Sequence, residues 1–201
     1  MATAVIRADG SSKFARGKRW GYFPSVSAGW VISEEAFMEQ TRSWMDFLKI
    51  RASWGQNGNQ DIPDFQYLST IAFSGADYTF GPDKSVVASG AYPDILANKD
   101  VTWETSEQID FGLDARFLDN RLGLNFDYYI KNTKDWLVAA PVLDSYGTGA
   151  PYINGGSVKN TGVELALTWN DQIGNDFHYN VGINGAYNKN KVGEIPTDDG
   201  I

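Results

Sequence analysis

The residues of this chain that are best suited to catalysis are closely spaced carboxylates. Glu104 and Glu107 form one pair, and Asp110 and Asp114 form another. Two carboxylates that flank a glycosidic bond can hydrolyse it, one as the acid and the other as base or nucleophile. On an extended strand Asp110 and Asp114 share a face but lie roughly 13 Å apart, at ~3.3 Å per residue. Because this separation exceeds either glycosidase geometry, we interpret them as part of a charged wall in which Asp and Arg pair across neighbouring strands.

Three other patterns offer weaker chemistry. His178 is the only histidine, and near a predicted tight turn we expect it to be solvated rather than part of a Ser–His–acid triad. The glycine-rich stretch 147–156 lacks the spacing of a phosphate loop and predicts a flexible loop instead. Segments 57–61 and 197–200 carry oxygen ligands that calcium prefers, but neither has EF-hand spacing. We therefore expect no catalytic, cofactor-binding or metal-binding residues.

The composition narrows the classes of partner. The net charge of −8 repels phosphate backbones, so we expect no nucleic acid. The chain has no cysteine, which excludes disulfides, thiolate metal sites and thiol catalysis. Aromatic residues make up 14% of the sequence, an excess typical of membrane interfaces and of carbohydrate- or protein-binding surfaces.

No stretch of the sequence is suited to a transmembrane helix. The longest apolar run, 137–143, is interrupted by Pro141 and is far shorter than the ~20 residues that a helix needs. The first ten residues lack the basic and apolar regions of a secretory signal, which predicts a cytosolic protein or a piece of a longer one. A transmembrane β-barrel stays possible, because its alternating strands score low in hydropathy.

The elements that position these side chains are β-strands, because the dominant hydrophobic period is two. Between Gln108 and Phe117, for example, apolar and polar residues alternate without interruption except at Gly112. The pattern predicts about seven long strands, most of about eleven residues. They are expected at about 3–8, 22–32, 48–55, 108–117, 122–131, 162–169 and 177–188.

The predicted connections alternate between long and short, which places all long loops at one end of the sheet. The intermediate link 33–43 is expected to hold a helical turn with Ser33 as its N-cap. Extra short strands are expected around 66–73 and 78–80 in the second long link. The long links are 9–20, 56–104, 133–160 and the tail from Lys189, and the short ones are 119–121 and 171–176.

This alternation fits two environments, a soluble β-sandwich and a barrel in lipid. Strands of about eleven residues match a tilted membrane strand better than the usual soluble length of ~5–6. Aromatic residues also gather near strand ends, as in the interfacial girdles of membrane barrels. The barrel is favoured, and a soluble carbohydrate-binding sandwich is the alternative. The girdle candidates are Tyr22, Trp30, Trp54, Phe117, Tyr128, Trp169, Phe177 and Tyr187.

Six blocks of sequence follow one another in a distinctive order. They are RADGSSKF (7–14), RWGYFPSVSAGWVISEE (19–35), LKIRASWGQNGNQ (48–60), WETSEQIDFGLDARFLDNRL (103–122), DYYIKNTKDWL (127–137) and NGGSVKNTGVEL (154–165). Through these blocks the chain resembles, over nearly its whole length, the SusC/RagA family of TonB-linked outer-membrane transporters of Bacteroidetes-type bacteria. Six ordered blocks are far more specific than any single motif.

The resemblance implies an all-β protein: an antiparallel transmembrane barrel of twenty-two strands, with an N-terminal plug in its lumen. It also implies a TonB box upstream of the plug and a SusD-like lipoprotein lid over the extracellular mouth. Such a complex imports glycans or peptides through TonB, powered by the proton-motive force, and is not an enzyme.

Residues 1–201 look like a partial barrel domain from the C-terminal half of that family, with no plug, TonB box or signal peptide. About seven strands cannot close the barrel, and lipid does not tolerate unpaired strand edges. We therefore expect the chain by itself to be inactive in transport. Its expected setting is the cell outer membrane, with lipids, the lid lipoprotein and TonB acting through the missing N-terminal part.

In this barrel the long loops are expected to be extracellular and the short turns periplasmic. Leu113 and Leu124 are predicted to face lipid at mid-bilayer, where an arginine is costly. Their neighbours Gly112 and Asn125, on the lumen side, are expected to tolerate polar change better. The predicted lumen wall contains Lys49, Arg51, Asp110, Asp114, Arg116 and Glu164.

Aromatic residues of the predicted loops are the remaining candidates for binding. They can stack on sugar rings, pack against the lid or pack one loop on another, and we expect loop packing for most. Substrate-binding residues are not assigned, and a β-rich hydrolase is the third hypothesis. The loop aromatics are Tyr67, Phe73, Tyr78, Tyr92, Trp103, Trp136, Tyr146 and Tyr152.

Overall fold

Seven long strands form one antiparallel sheet in which each strand pairs with the next along the chain. The computed structural model describes residues 1–73, 75, 77–82, 86–193 and 195. The prediction of seven strands is confirmed. The strands are β1 (Ala2–Gly10), β2 (Trp20–Val31), β3 (Met45–Asn59), β4 (Glu104–Phe117), β5 (Leu122–Lys134), β6 (Ser157–Ile173) and β7 (Phe177–Val192).

The register of the ladders sorts side chains onto two contrasting faces. One row of the sheet, on what we call the polar face, aligns Arg51, Gly112, Asp127 and Glu164. The adjacent row, on the apolar face, aligns Ile50, Leu113, Phe126 and Leu165. The predicted sorting of apolar and polar residues onto opposite faces is therefore confirmed.

The apolar face is uncovered. Ile50, Phe111 and Leu165, which lie on strands with a neighbour on each side, are 42, 52 and 44% exposed. A soluble sandwich requires a second sheet packed about 10 Å away on this face. The other ladders in the described part of the chain have only two strands each and lie in the links. The sandwich alternative is therefore wrong for this fold.

From β3 onward the links alternate in length as predicted, but the first link, 11–19, is shorter than the second, 32–44. At one end of the sheet, the loop end, lie the links 11–19, 60–103 and 135–156. At the other, the turn end, lie 32–44, 118–121 and 174–176. The long links contain three short antiparallel pairs, two of which include the strands expected around 66–73 and 78–80. These are Ile71–Ala72 with Tyr92–Pro93, Asp77–Phe80 with Val86–Ser89, and Leu137–Ala139 with Tyr152–Asn154.

Two boundaries differ from the prediction. Lys189 does not begin a tail, because β7 stays paired with β6 as far as Val192. Ser33 is not an N-cap: it lies inside the 3₁₀-helix Ile32–Glu34, whose N-cap is Val31, and no side chain caps this helix. Because the chain turns at Ile32, one residue earlier than predicted, Ser33 lies within the turn instead of ahead of its free amides. A second 3₁₀-helix, Ala36–Thr41, completes the link.

No helix in the described residues is long and apolar enough to cross a membrane.

Candidate functional site

Charged side chains from three adjacent strands meet at the centre of the polar face. The Arg51 guanidinium donates to both carboxylate oxygens of Asp114, from Nε at 3.1 Å and Nη2 at 3.2 Å. It also contacts Asp127, with Nη1 2.8 Å from Oδ1 and Nη2 2.9 Å from Oδ2. Asp110 lies 3.9 Å from Nη1. The predicted pairing of Asp and Arg across strands is confirmed, and we call these four residues the Arg51 cluster.

A glycine makes room for this arrangement. Gly112 lies directly opposite Arg51 in the ladder, and the guanidinium passes over its backbone. A Cβ at position 112 would lie 2.6 Å from Nη1, well inside contact distance. Asn125 is also engaged, since its amide donates to Asp114 at 2.8 Å. Both positions are therefore part of the surroundings of the Arg51 cluster, and their greater tolerance of polar change than Leu113 and Leu124 stays a prediction.

The Arg51 cluster is built to join strands rather than to cleave a substrate. Charge-assisted bidentate pairs of arginine with carboxylate are strong and geometrically specific. Here the guanidinium occupies the space between Asp114 and Asp127, so the two carboxylates cannot flank a scissile bond. The cluster ties β3, β4 and β5 together and leaves more negative than positive charge on this part of the polar face.

The second pair of carboxylates is separated by the sheet itself. Glu104 is buried on the polar side, where it accepts from the Leu137 backbone N–H at 3.1 Å and from Asn59 at 3.2 Å. Glu107 belongs to the apolar face and accepts from the Trp54 indole N–H at 2.8 Å and from Lys134 at 3.2 Å. Because successive side chains of a strand alternate faces, positions three apart cannot share one substrate.

The only buried apolar cluster among the described residues lies at the loop end, and we call it the loop hub. At its centre the Trp103 ring lies 5.3 Å from Phe14 and 5.5 Å from Phe23, measured between ring centroids. The Trp103 indole N–H donates to the Arg19 carbonyl at 3.2 Å. The hub consists of Phe14, Phe23, Ile62, Val101, Trp103 and Leu137, with Tyr152 packed against it.

Polar contacts fasten the same three long links to one another. The Asn154 side chain donates to the Thr102 carbonyl at 2.9 Å and accepts from the Thr102 N–H at 2.7 Å. The Lys13 ammonium donates to the Ile62 carbonyl at 2.6 Å, which joins link 11–19 to link 60–103. All three loops at this end of the sheet are therefore parts of one packed unit.

The loop hub brings the six sequence blocks together in space. Each block supplies a residue to the hub or to its polar contacts, which the sequence alone did not show. The available signal was that aromatic and Asn–Gly residues of every block fall at the loop ends of strands. In block order, these residues are Phe14, Phe23, Asn59, Trp103, Leu137 and Asn154.

The other candidates from the sequence, His178, the glycine-rich stretch and the two oxygen-rich segments, form no common site among the described residues. His178 is exposed near the turn end, as predicted. In the glycine-rich stretch, predicted to be a flexible loop, Gly149 bridges to Ile95 and residues 152–154 pair with 137–139. Asn59, in segment 57–61, is used by Glu104 and by the Asp61 backbone. Segment 197–200 lies outside the described residues, within which no three acidic or histidine side chains converge as a metal site would require.

The loop aromatics divide into two groups. Loop packing is confirmed for Trp103 and Tyr152, which belong to the hub. Phe73, Tyr78 and Tyr146 are instead 68, 61 and 63% exposed, and the other three, Tyr67, Tyr92 and Trp136, are less exposed than these. The exposed rings are free to meet a ligand or a partner.

These features place the chain in a class. It belongs to the family described as TonB dependent receptor-like, beta-barrel, which it matches over residues 2–201. The TonB-dependent receptor SusC of Bacteroides thetaiotaomicron is 33% identical over 204 residues, which cover 99% of this chain and 20% of SusC. TonB-dependent receptor P39 of Formosa agariphila is 34% identical over 201 residues, which cover all of this chain and 18% of P39.

Solved structures agree with the sequence relatives. A chain of the RagAB peptide importer in its closed-closed state superposes with a TM-score of 0.81 and 29% identity. The match covers 95% of this chain and 20% of that one. The resemblance read from the six blocks is confirmed, and the chain spans about a fifth of the length of the relatives it matches.

Proposed function

We propose that this chain is a section of the wall of a TonB-dependent outer-membrane importer. Its seven strands cross the outer membrane, the apolar face meets lipid and the polar face lines the lumen. The loop end faces the exterior and the turn end faces the periplasm. The proposal rests above all on the uncovered apolar face, because exposed apolar surfaces of this extent mark contact with a membrane or another protein.

The height of the apolar band supports lipid as the contact. On β4, the apolar-face residues from Ile109 to Phe117 are all apolar, a run of eight intervals along the strand. This run is roughly 26 Å long at ~3.3 Å per residue, or about 20 Å across the membrane at a tilt of ~40°. The apolar band of outer-membrane barrels is of similar height, ~25 Å.

Both ends of the band carry tryptophans whose polar edges reach carboxylates. Trp54, toward the loop end, donates its indole N–H to Glu107, and Trp30, toward the turn end, donates to Glu35 at 2.8 Å. A tryptophan at a bilayer interface keeps its ring in the apolar layer and its N–H in the polar layer. The two tryptophans are oriented as the two interfacial girdles require.

The activity belongs to the complete barrel. β1 and β7 are edge strands of this sheet, and backbone groups at an open edge have no partners in lipid. Strands beyond these residues therefore complete the barrel, and we propose that the chain by itself transports nothing. Its place in the C-terminal half of the barrel is part of the same proposal.

For the complete transporter we propose a SusD-like lipoprotein lid, energy supplied through TonB, and a glycan or peptide substrate. SusC and the RagAB peptide importer, both similar to this chain, support these assignments. The exposed rings Phe73, Tyr78 and Tyr146 lie on the side where a lid or substrate would approach.

Detergent dependence tests the membrane assignment directly. The complete polypeptide that carries this chain is expected to sediment with outer-membrane vesicles and to need detergent for extraction. Recovery as a monomer in aqueous buffer without detergent would refute the proposal. Deletion of the gene for the complete polypeptide is expected to abolish substrate uptake, and a lipoprotein gene is expected beside it. These two results would separate import from other membrane roles.

A further inference from the structure

The link 32–44 at the turn end folds toward the apolar face of the sheet. Phe37 packs edge-on against Trp30, with ring centroids 6.4 Å apart. Trp44 stacks on Phe117 at 6.0 Å with the ring planes 6° apart. Both strand residues belong to the apolar face, so the link contributes two further rings to that side.

These two rings are packed on one side and open on the other. Phe37 is 66% exposed and Trp44 is 49% exposed, although each touches an aromatic residue of the sheet. Exposed aromatic rings in a short periplasmic turn would be unfavourable in water. They lie beside the apolar band, where the proposed membrane begins.

The polar residues of the link complete an amphipathic pattern. Glu34, Glu39, Gln40 and Arg42 are all exposed and surround the two rings along the chain. A segment with apolar rings and charged flanks is suited to the boundary between lipid headgroups and acyl chains. Tryptophan and other amphipathic rings are enriched at that depth.

We infer that the link 32–44 is an interfacial membrane anchor: Phe37 and Trp44 insert into the periplasmic leaflet, and the charged residues stay at the phospholipid headgroups. This inference rests on the proposed function, since it requires the apolar face to lie in the outer membrane. It assigns to a connecting turn a role in setting the depth of the barrel wall.

These 201 residues contain no cysteine, so single cysteines can be introduced into them and labelled at chosen positions. Phe37→Cys, Trp44→Cys and Gln40→Cys are each labelled with a nitroxide in the complete polypeptide, after replacement of any cysteine elsewhere. The proteins are reconstituted in phosphatidylethanolamine–phosphatidylglycerol vesicles. Collision with oxygen, which partitions into lipid, is compared with collision with a water-soluble nickel chelate. Leu113→Cys, in the apolar band, is the control for membrane insertion.

The inference predicts that labels at 37 and 44 favour oxygen several-fold over the label at 40, at a shallower depth than the label at 113. Equal nickel accessibility at 37, 44 and 40, with position 113 still in lipid, would overturn the anchor but not the barrel wall. Nickel accessibility at 113 as well would overturn the proposed function itself. If Trp44→Cys disturbs the stack on Phe117, the label at position 37 still measures the depth of the link independently.

Discussion

Arginine at position 113 is expected to destabilise the barrel far more than arginine on the opposite face. Leu113 lies on the apolar face, six residues from Glu107 and four from Phe117, and therefore near the middle of the band. An arginine at the midplane of an outer-membrane barrel costs about 2–4 kcal/mol. This cost lowers the ratio of folded to unfolded protein roughly 30-fold to several-hundred-fold.

The matched control is Ser53→Arg on the polar face. Ser53 is exposed and lies opposite Asp110 in the ladder, so the new guanidinium has water and a carboxylate within reach. Both variants are made in the complete polypeptide and folded into phospholipid vesicles over a series of urea concentrations. The folded fraction is read by its altered mobility on unheated gels. Equal destabilisation by the two variants would refute the assignment of the faces.

Two further predictions concern packing. Gly112→Ala is expected to displace the Arg51 guanidinium and cost about 1–3 kcal/mol in the same titration. The control is Gly185→Ala on the apolar face, where the new methyl meets none of the described atoms of this chain within 4 Å. It is expected to be nearly neutral, and an effect equal to that of Gly112→Ala would contradict the packing at Gly112. Glu104→Ala leaves the Leu137 N–H without its acceptor, at a cost of about 1–3 kcal/mol, and should speed proteolysis within 60–103 and 135–156. Glu104→Gln, which keeps an acceptor for the Leu137 N–H, is expected to lower stability less than Glu104→Ala. An unchanged rate of proteolysis in both variants would show that Glu104 does not hold the loops.

The strands and the faces of their side chains could be predicted from the sequence because both depend on local geometry. Alternation of side chains follows from the geometry of one extended strand, so residues such as Leu113 and Asp114 are assigned to opposite faces without knowledge of any neighbour. The lengths of the links also lie in the sequence, and they predicted the loop end and the turn end.

Other features depend on a partner strand or a distant loop. The sequence assigns Gly112 to the lumen side, but a glycine on a strand does not show which side chain crosses it. The guanidinium above it comes from Arg51, 61 positions earlier, and is placed there by the register of β3 on β4. The N-cap predicted at Ser33 is wrong because β2 ends at Val31 and the turn begins at Ile32, one residue earlier than the alternation indicates.

The sequence by itself determined the strands, their faces and the family, since alternation and ordered blocks are properties of a single chain read in order. Only the tertiary structure decided which carboxylates Arg51 binds and that links 11–19, 60–103 and 135–156 meet around Trp103. It also decided that Phe37 and Trp44 lie against the apolar face. Such contacts join residues far apart in sequence, and their geometry is fixed by strand register and loop packing rather than by local periodicity.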